Sequence, residues 1–149
     1  MNVSLAHIGP SLRGSDDYTR LTESYLKRSA AFTRCQSEVF RTEVLFFDWL
    51  TRQQGRTAPL PVLLDSRGRV MDSEEFARWV RDRRDQGTQH LVFAIGPADG
   101  WSAEALKRAH LVLSLGPFTM AHALARLVFA EQIYRVSTIL TGHPYHTGH

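Results

Sequence analysis

The fold of this chain is decided by LVFAIGPADG at residues 91–100 and LVLSLGPFTM at residues 111–120. In each stretch a short apolar run ends in a glycine-containing loop, which is typical of a buried strand that leads into a turn. The longest helical pattern follows at Ala121 to Val136, and the polar segment TGHPYHTGH ends the chain. Two strand–loop junctions beside a long helix and a tail of His and Tyr favour a small-molecule site here.

Strand and helix patterns alternate along the rest of the chain. We predict further strands at residues 3–8, 38–42 and 60–64. Ser15 or Asp16 is expected to cap the first helix, and DSRGR at residues 65–69 is expected to form a turn. This order predicts an α/β fold, a mostly parallel sheet with helices on both faces, and we expect residues 1–149 to form a single domain.

Ligands of parallel sheets gather at the carboxyl ends of the strands, which are here Leu64-Asp65, Gly96 to Gly100 and Leu115 to Met120. Glycine at Gly96 and Gly100 lets the backbone approach a ligand closely, and the alternative is that both residues only turn the chain. The spacing is not GxGxxG, and no GK[ST] follows. Nicotinamide and ATP chemistry are therefore disfavoured.

Composition narrows the class of protein. The chain has 149 residues, of which 43% are hydrophobic and 22% charged, and its formal net charge is +3. These values are typical of a globular protein, and the charge is too small to indicate a nucleic-acid partner by itself. The lone Cys35 excludes an internal disulfide. No transmembrane run or signal-peptide pattern is present, so we expect a cytoplasmic protein.

The helix after Met120 is apolar nearly all round, which predicts burial on two sides. Its polar residues form two pairs at i,i+4 spacing. Glu131 and Arg135 are expected to form an ion pair. His122 and Arg126 can both carry a positive charge, so they do not stabilise each other. We therefore expect an anionic group nearby, and the alternative is a solvated surface pair.

The C-terminal tail contains Tyr145 and three histidines, His143, His146 and His149. This spacing could hold a metal, but no Cys or carboxylate accompanies the histidines, so no metal is expected. A docked tail with Tyr145 and His146 in the pocket is the favoured interpretation, and a frayed terminus is the other.

Several motifs occur in one order at one set of spacings: LLDSRGRVMDSEEFA, IGPADG, LSLGPFTMAHALAR, AEQIYR and HPYH. Together they resemble the RlmH family, the bacterial 23S ribosomal RNA pseudouridine N3-methyltransferases of the SPOUT superfamily. The resemblance is strong from Leu60 to His146. It implies a SPOUT methyltransferase fold with a C-terminal trefoil knot, a homodimer, S-adenosylmethionine as cofactor, and 23S rRNA on the ribosome as target.

The resemblance also assigns residues. It places the cofactor against Leu64, Gly96 and the loop formed by Leu115, Gly116, Pro117, Phe118, Thr119 and Met120. It places His122, Arg126, Tyr145 and His146 near the site of methyl transfer.

Methyl transfer requires N3 of the pseudouridine to lose its proton. We hypothesise that His146 accepts this proton, that Arg126 and His122 stabilise the resulting anion or position RNA, and that Tyr145 packs on the base or ribose. Candidate phosphate contacts, or else solvated helix faces, are Arg78, Arg81, Arg83, Arg84, Lys107 and Arg108.

The chain departs from the family pattern at Pro97, Ala98, Ala121 and Thr147. Pro97 lacks the N–H of a usual glycine, and Thr147 replaces a usual basic residue. Two rival functions remain open, a SPOUT methyltransferase with a different RNA target and a catalytically inactive RNA- or ribosome-binding module. A metal-binding tail is a third.

Overall fold

The computed structural model describes residues 1–10, 16–53 and 57–148. Within these residues, five strands alternate with five α-helices. The strands are β1 (Asn2–Ile8), β2 (Arg34–Phe40), β3 (Leu60–Val70), β4 (His90–Ile95) and β5 (Leu111–Ser114). The helices are α1 (Asp17–Ser29), α2 (Glu43–Arg52), α3 (Ser73–Asp85), α4 (Ala103–Arg108) and α5 (His122–Thr141), and a 3₁₀ turn at His146–Gly148 follows.

The five strands form one sheet in the order β2-β1-β4-β3-β5, and every neighbouring pair is parallel. Leu91 of β4 lies between Val3 of β1 and Leu60 of β3, so the apolar runs of the sequence form its centre. Helices α1, α3 and α5 cover one face, where Phe76 and Phe129 pack against Phe93. Helices α2 and α4 cover the other face. The predicted α/β architecture is confirmed, and the trefoil knot stays a prediction.

The second strand was predicted too late in the chain. It spans Arg34–Phe40 and pairs with β1 along its whole length. Thr42, predicted to end the strand, instead caps α2, because its hydroxyl oxygen accepts a hydrogen bond from the amide of Leu45 at 3.2 Å. The capping preference of threonine therefore outweighs its strand propensity here.

The expected turn at residues 65–69 is also wrong, because β3 continues through it to Val70. The pairing of β3 with β5 shifts register between Leu64 and Arg69, so the extra residues are absorbed as an irregularity. Gly68 makes this possible. A Cβ added there would lie 2.6 Å from the backbone carbonyl of Val112.

Replacing Gly68 by alanine is expected to lower the free energy of unfolding by about 2–3 kcal/mol, because the backbone of β5 must move away from the new methyl group. Urea denaturation of the variant measures the change. Ser66→Ala is the matched control in the same segment, since Ser66 is exposed. Equal stability of the two variants would contradict the close approach of β3 and β5.

The ends of the helices follow their sequence signals. The Asp16 side chain caps α1 by accepting from the amides of Tyr18 and Thr19, whereas Ser15 lies outside the described residues. Helix α5 runs five residues beyond the predicted Val136, to Thr141, and Gly142 ends it with a φ of 74°. Within the described residues, no helix is long and apolar enough to span a membrane.

Candidate active site

A cavity of about 330 Å³ lies where residues 64–66 in the middle of β3 and the carboxyl ends of β4 and β5 meet the start of α5. The three segments predicted as strand ends therefore converge, although β3 continues beyond Leu64-Asp65 to Val70. The predicted residues that line it are Leu64, Gly96, Leu115, Gly116, Phe118, Thr119, Met120 and His122. The remaining predicted site residues, Pro117, Arg126, Tyr145 and His146, are not among its lining residues.

Trp101 lines this cavity and was missed in the sequence. Its side chain is buried, and the indole Nε1–H donates to the carbonyl oxygen of Leu64 at 3.0 Å. Gly96 lies directly against the indole ring, where an added Cβ would be 2.6 Å from Nε1. Trp101 thus fixes the distance between Leu64 in β3 and the end of β4. In the sequence, Trp101 is indicated only by its place as an aromatic residue directly after the glycine-containing loop.

Arg67 ties the same loop to β3 a second time. Its guanidinium pairs with both carboxylate oxygens of Asp65 and donates to the carbonyl of Trp101 at 3.1 Å. The hydrogen bond from Arg67 holds the pKa of Asp65 below its ordinary value. A carboxylate that remains charged at neutral pH therefore lines the cavity.

The two loop glycines have different roles. Gly100 has a φ of 88°, and its amide donates to the carbonyl of Pro97 at 2.9 Å, so it closes a turn. Gly96 has no such backbone requirement and is needed for its close approach to Trp101. The turn interpretation therefore holds for Gly100 alone.

His122, the first residue of α5, donates from Nε2 to the carbonyl of Gly96. Its ring packs on the ring of His7 at the end of β1, with 4.2 Å between centroids. His7 is buried, and neither of its ring nitrogens has a hydrogen-bond partner among the described residues. Burial, followed by the proximity of His122 and Arg126, lowers the pKa of His7 to about 4.

Arg126 lies one turn along α5 and is only 2% exposed. The alternative of a solvated surface pair is therefore wrong for this residue. A guanidinium nitrogen of Arg126 lies 3.6 Å from Oε1 of Glu23 on α1, which supplies the anionic group expected from the sequence. Nε of Arg126 forms no hydrogen bond within the described part of the chain.

The tail docks along α5, not in the cavity. The Tyr145 hydroxyl donates to Glu131 at 3.0 Å, and its ring packs against Tyr134. Burial and the Glu131 carboxylate raise the pKa of Tyr145 to about 12. The predicted pair of Glu131 and Arg135 forms at 2.8 Å. The expectation of Tyr145 in the pocket is wrong for its own chain, because Glu131 lies well beyond the start of α5.

His146 is held from two sides. Nη1 of Arg135 donates to its Nδ1 at 3.0 Å, and its Nε2 lies 3.6 Å from a carboxylate oxygen of Glu74 on α3. Residues 1–10, 16–53 and 57–148 contain no group of three or more His, Cys, Asp or Glu that could hold a metal ion. His149 lies outside these ranges.

A family model described as a predicted SPOUT methyltransferase matches residues 1–146. The chain belongs to the SPOUT methyltransferase family. The ribosomal RNA large subunit methyltransferase H of Koribacter versatilis (strain Ellin345) is 52% identical over 130 residues, which are 87% of this chain and 88% of that protein. The protein of the same name from Rhizobium meliloti (strain 1021) is 43% identical over 131 residues, 87% of this chain and 76% of that protein.

Two solved structures share the fold of this SPOUT methyltransferase. The SpoU methyltransferase AviRb from Streptomyces viridochromogenes, in complex with the cofactor AdoMet, matches 89% of this chain and 59% of its own, with a TM-score of 0.50 and 13% identity. A probable methylase family protein from Haemophilus influenzae Rd KW20 matches 97% of this chain and 70% of its own, with a TM-score of 0.58 and 12% identity.

The basic residues suggested as phosphate contacts in this SPOUT methyltransferase are only partly free. Arg81 and Arg84 each pair with the next residue, an aspartate, at 3.2 Å, and Lys107 lies 3.9 Å from Glu104. Arg83 lies over the ring of Trp79, and Arg108 lies over Phe47. Their role in RNA contact stays a prediction.

The buried His7 predicts a pH dependence of stability for this SPOUT methyltransferase. Its pKa is about 4 in the folded chain and 6.5 in the unfolded chain, so the unfolded chain binds more protons between these values. The stability contribution is therefore fully present above pH 6.5 and is lost as the pH falls towards 4. From pH 7.5 to 4.5 the wild type should lose roughly 2–3 kcal/mol more than His7→Phe.

Urea denaturation of both proteins across this pH range measures the difference. His7→Phe is a suitable comparison because it retains an aromatic ring against His122 without an ionisable nitrogen. Parallel pH dependences of the two proteins would show that His7 is not buried in its neutral form.

Proposed function

We propose that this protein is an S-adenosylmethionine-dependent methyltransferase that methylates N3 of a pseudouridine in 23S rRNA on the ribosome. The observation that supports this proposal is the cavity in which residues 64–66 of β3 and the ends of β4 and β5 meet the start of α5, in a chain that belongs to the SPOUT family. Relatives named ribosomal RNA large subunit methyltransferase H support the RNA target. A fold neighbour solved with AdoMet supports the cofactor.

The lining of the cavity fits such a cofactor. Leu64, Leu115 and Met120 offer apolar contacts for an adenine ring and a methionine chain. The Asp65 carboxylate, kept charged by Arg67, favours a sulfonium cation nearby. His122 is kept uncharged by burial, which lowers its pKa, so it does not repel that cation. When bound, the cofactor supplies an activated methyl group.

The protein has to align a nucleobase nitrogen with that methyl group and assist the loss of one proton. Alignment alone accounts for a large part of such a rate enhancement. We assign the holding of the cofactor to Leu64, Gly96 and the loop at residues 115–120, the loop that includes Pro117. An imide nitrogen that loses its proton becomes an anion, and we assign its stabilisation to Arg126, one helical turn along α5 from His122.

The tail supports the proposal that two copies of the chain work together. Tyr145 and His146 are fixed to α5 by Glu131 and Arg135, outside the cavity of their own subunit. We propose that the protein is a homodimer in which each tail completes the cavity of the partner subunit. A trefoil knot in the C-terminal part and a cytoplasmic location belong to the same proposal.

The proposed function is tested by incubating the protein and S-adenosylmethionine with ribosomes that lack the modification. Mass spectrometry of digested 23S rRNA should show one new methylated pseudouridine. Methylation of a different RNA would favour the first rival function. Calorimetry distinguishes the second, since a binding module without catalysis should show no heat with millimolar S-adenosylmethionine or its demethylated product.

A further inference from the structure

The proposed reaction removes a proton from an imide nitrogen, and the described residues offer few groups to receive it. Tyr145 is already a donor to Glu131. His146 accepts from Arg135 at Nδ1, so a neutral ring carries its proton on Nε2, on the side of Glu74. The Tyr145 hydroxyl keeps its own proton, since its pKa is raised to about 12. His146 has no free ring lone pair unless its contact with Arg135 breaks.

His122, in contrast, has a ring nitrogen that can accept a proton. A carbonyl oxygen can only accept, so the contact of Nε2 with Gly96 requires the proton to be on Nε2. The neutral ring then has a lone pair on Nδ1, which forms no hydrogen bond among the described residues. His122 is one of the residues that line the cavity, so its ring belongs to the same site as a bound molecule.

The surroundings of His122 hold the ring in this form. His7 from β1 packs against it, and Arg126 lies one turn along α5 with its charge offset by Glu23 from α1. Asp65 from β3 lines the same cavity. Burial first, and Arg126 to a smaller extent, lower the pKa of His122, whereas the bond to Gly96 raises it. The ring is therefore unprotonated at neutral pH, as a general base must be.

We infer that His122, through Nδ1, is the general base of the proposed methyl transfer, and that His7 is a positioning residue that holds its ring. This inference rests on the proposed function and replaces the earlier assignment of the proton to His146. The imide N3–H bond breaks and its proton passes to Nδ1. The N3 electron pair forms a bond to the methyl carbon. The carbon–sulfur bond breaks at the same time, and the electron pair of that bond remains on sulfur. The imidazolium then releases its proton to water.

The test compares His122→Gln with His146→Gln. Glutamine at position 122 retains an amide donor for the Gly96 carbonyl but has no basic lone pair. We expect its kcat on unmodified ribosomes to fall about 100- to 10,000-fold, with the Kd of S-adenosylmethionine within about threefold of wild type. The acidic limb of the pH–kcat profile should disappear in His122→Gln and remain in His146→Gln. His110→Gln, at an exposed site, is the control.

His7→Phe adds a readout that a purely structural role would not change. Burial already lowers the pKa of His122, and an apolar ring in place of the imidazole increases that effect. The acidic limb should therefore move to lower pH while the protein remains folded. Nitrogen-15 NMR of the free protein should show His122 neutral with its proton on Nε2. A proton on Nδ1, a nearly unchanged kcat in His122→Gln, or an acidic limb lost only in His146→Gln would overturn the inference. Wild-type protein that binds S-adenosylmethionine but methylates no RNA would instead refute the proposed function.

Discussion

Replacing Gly96 by alanine should weaken S-adenosylmethionine binding by about 100-fold or more, because the new methyl group would overlap the indole of Trp101. The Cβ would lie 2.6 Å from Nε1, so the ring must move and its bond to the Leu64 carbonyl must break. A buried carbonyl left without its donor adds about 1–3 kcal/mol to the cost of the displacement. Calorimetric titration of the variant measures the loss.

A double-mutant cycle isolates the cause. In a Trp101→Ala background the methyl group at position 96 has space, so Gly96→Ala should cost much less there than in the wild type. Asp99→Asn, in the same loop but outside the cavity lining, is the matched control and should bind as the wild type does. Equal losses with and without Trp101 would show that Gly96 acts by another route.

Two inactive variants should restore activity when they are mixed. Gly96→Ala weakens cofactor binding but retains the tail, and it is inactive when assayed with S-adenosylmethionine well below its raised Kd. Tyr145→Ala removes the tail hydroxyl and ring but retains the cavity. If the tail acts on the partner subunit, each mixed dimer contains one complete site and one site with both defects. Random exchange in an equal mixture then gives roughly a quarter of wild-type activity.

The measurement is methyl transfer to unmodified ribosomes after the two variants have been unfolded and refolded together. Refolding each variant alone is the control, and both should remain inactive. A mixture that stays inactive although mixed dimers are present would show that the tail serves its own subunit. A mixture that contains only monomers would refute the homodimer itself.

The sequence predicted the site best where backbone geometry alone decides position. The ends of parallel strands meet at one edge, so Leu64, Gly96 and Leu115 could be brought together from their places in the pattern. Trp101 and His7 could not be found in this way. Their importance depends on ring contacts with Gly96 and His122. These contacts join residues whose separation in the sequence follows no helix or strand periodicity.

The charged residues were only partly interpreted from the sequence, again because their partners are set by tertiary contacts. His122 and Arg126 indicated an anion because two cationic groups one helical turn apart repel each other. Its identity, Glu23 on another helix, is a tertiary contact that spacing cannot show. The position of the tail within its own chain was not predicted, because it depends on contacts with Glu131 and Arg135, which the spacing indicated only as a pair with each other.

A crystal structure with S-adenosylmethionine bound tests the central claim most directly. We expect the adenosyl group to lie between Leu64 of β3, the loop that starts at Gly96, and residues 115–120, with His122 facing the methyl group. Density for the cofactor elsewhere on the protein, or a cavity that stays empty at millimolar cofactor, would contradict it.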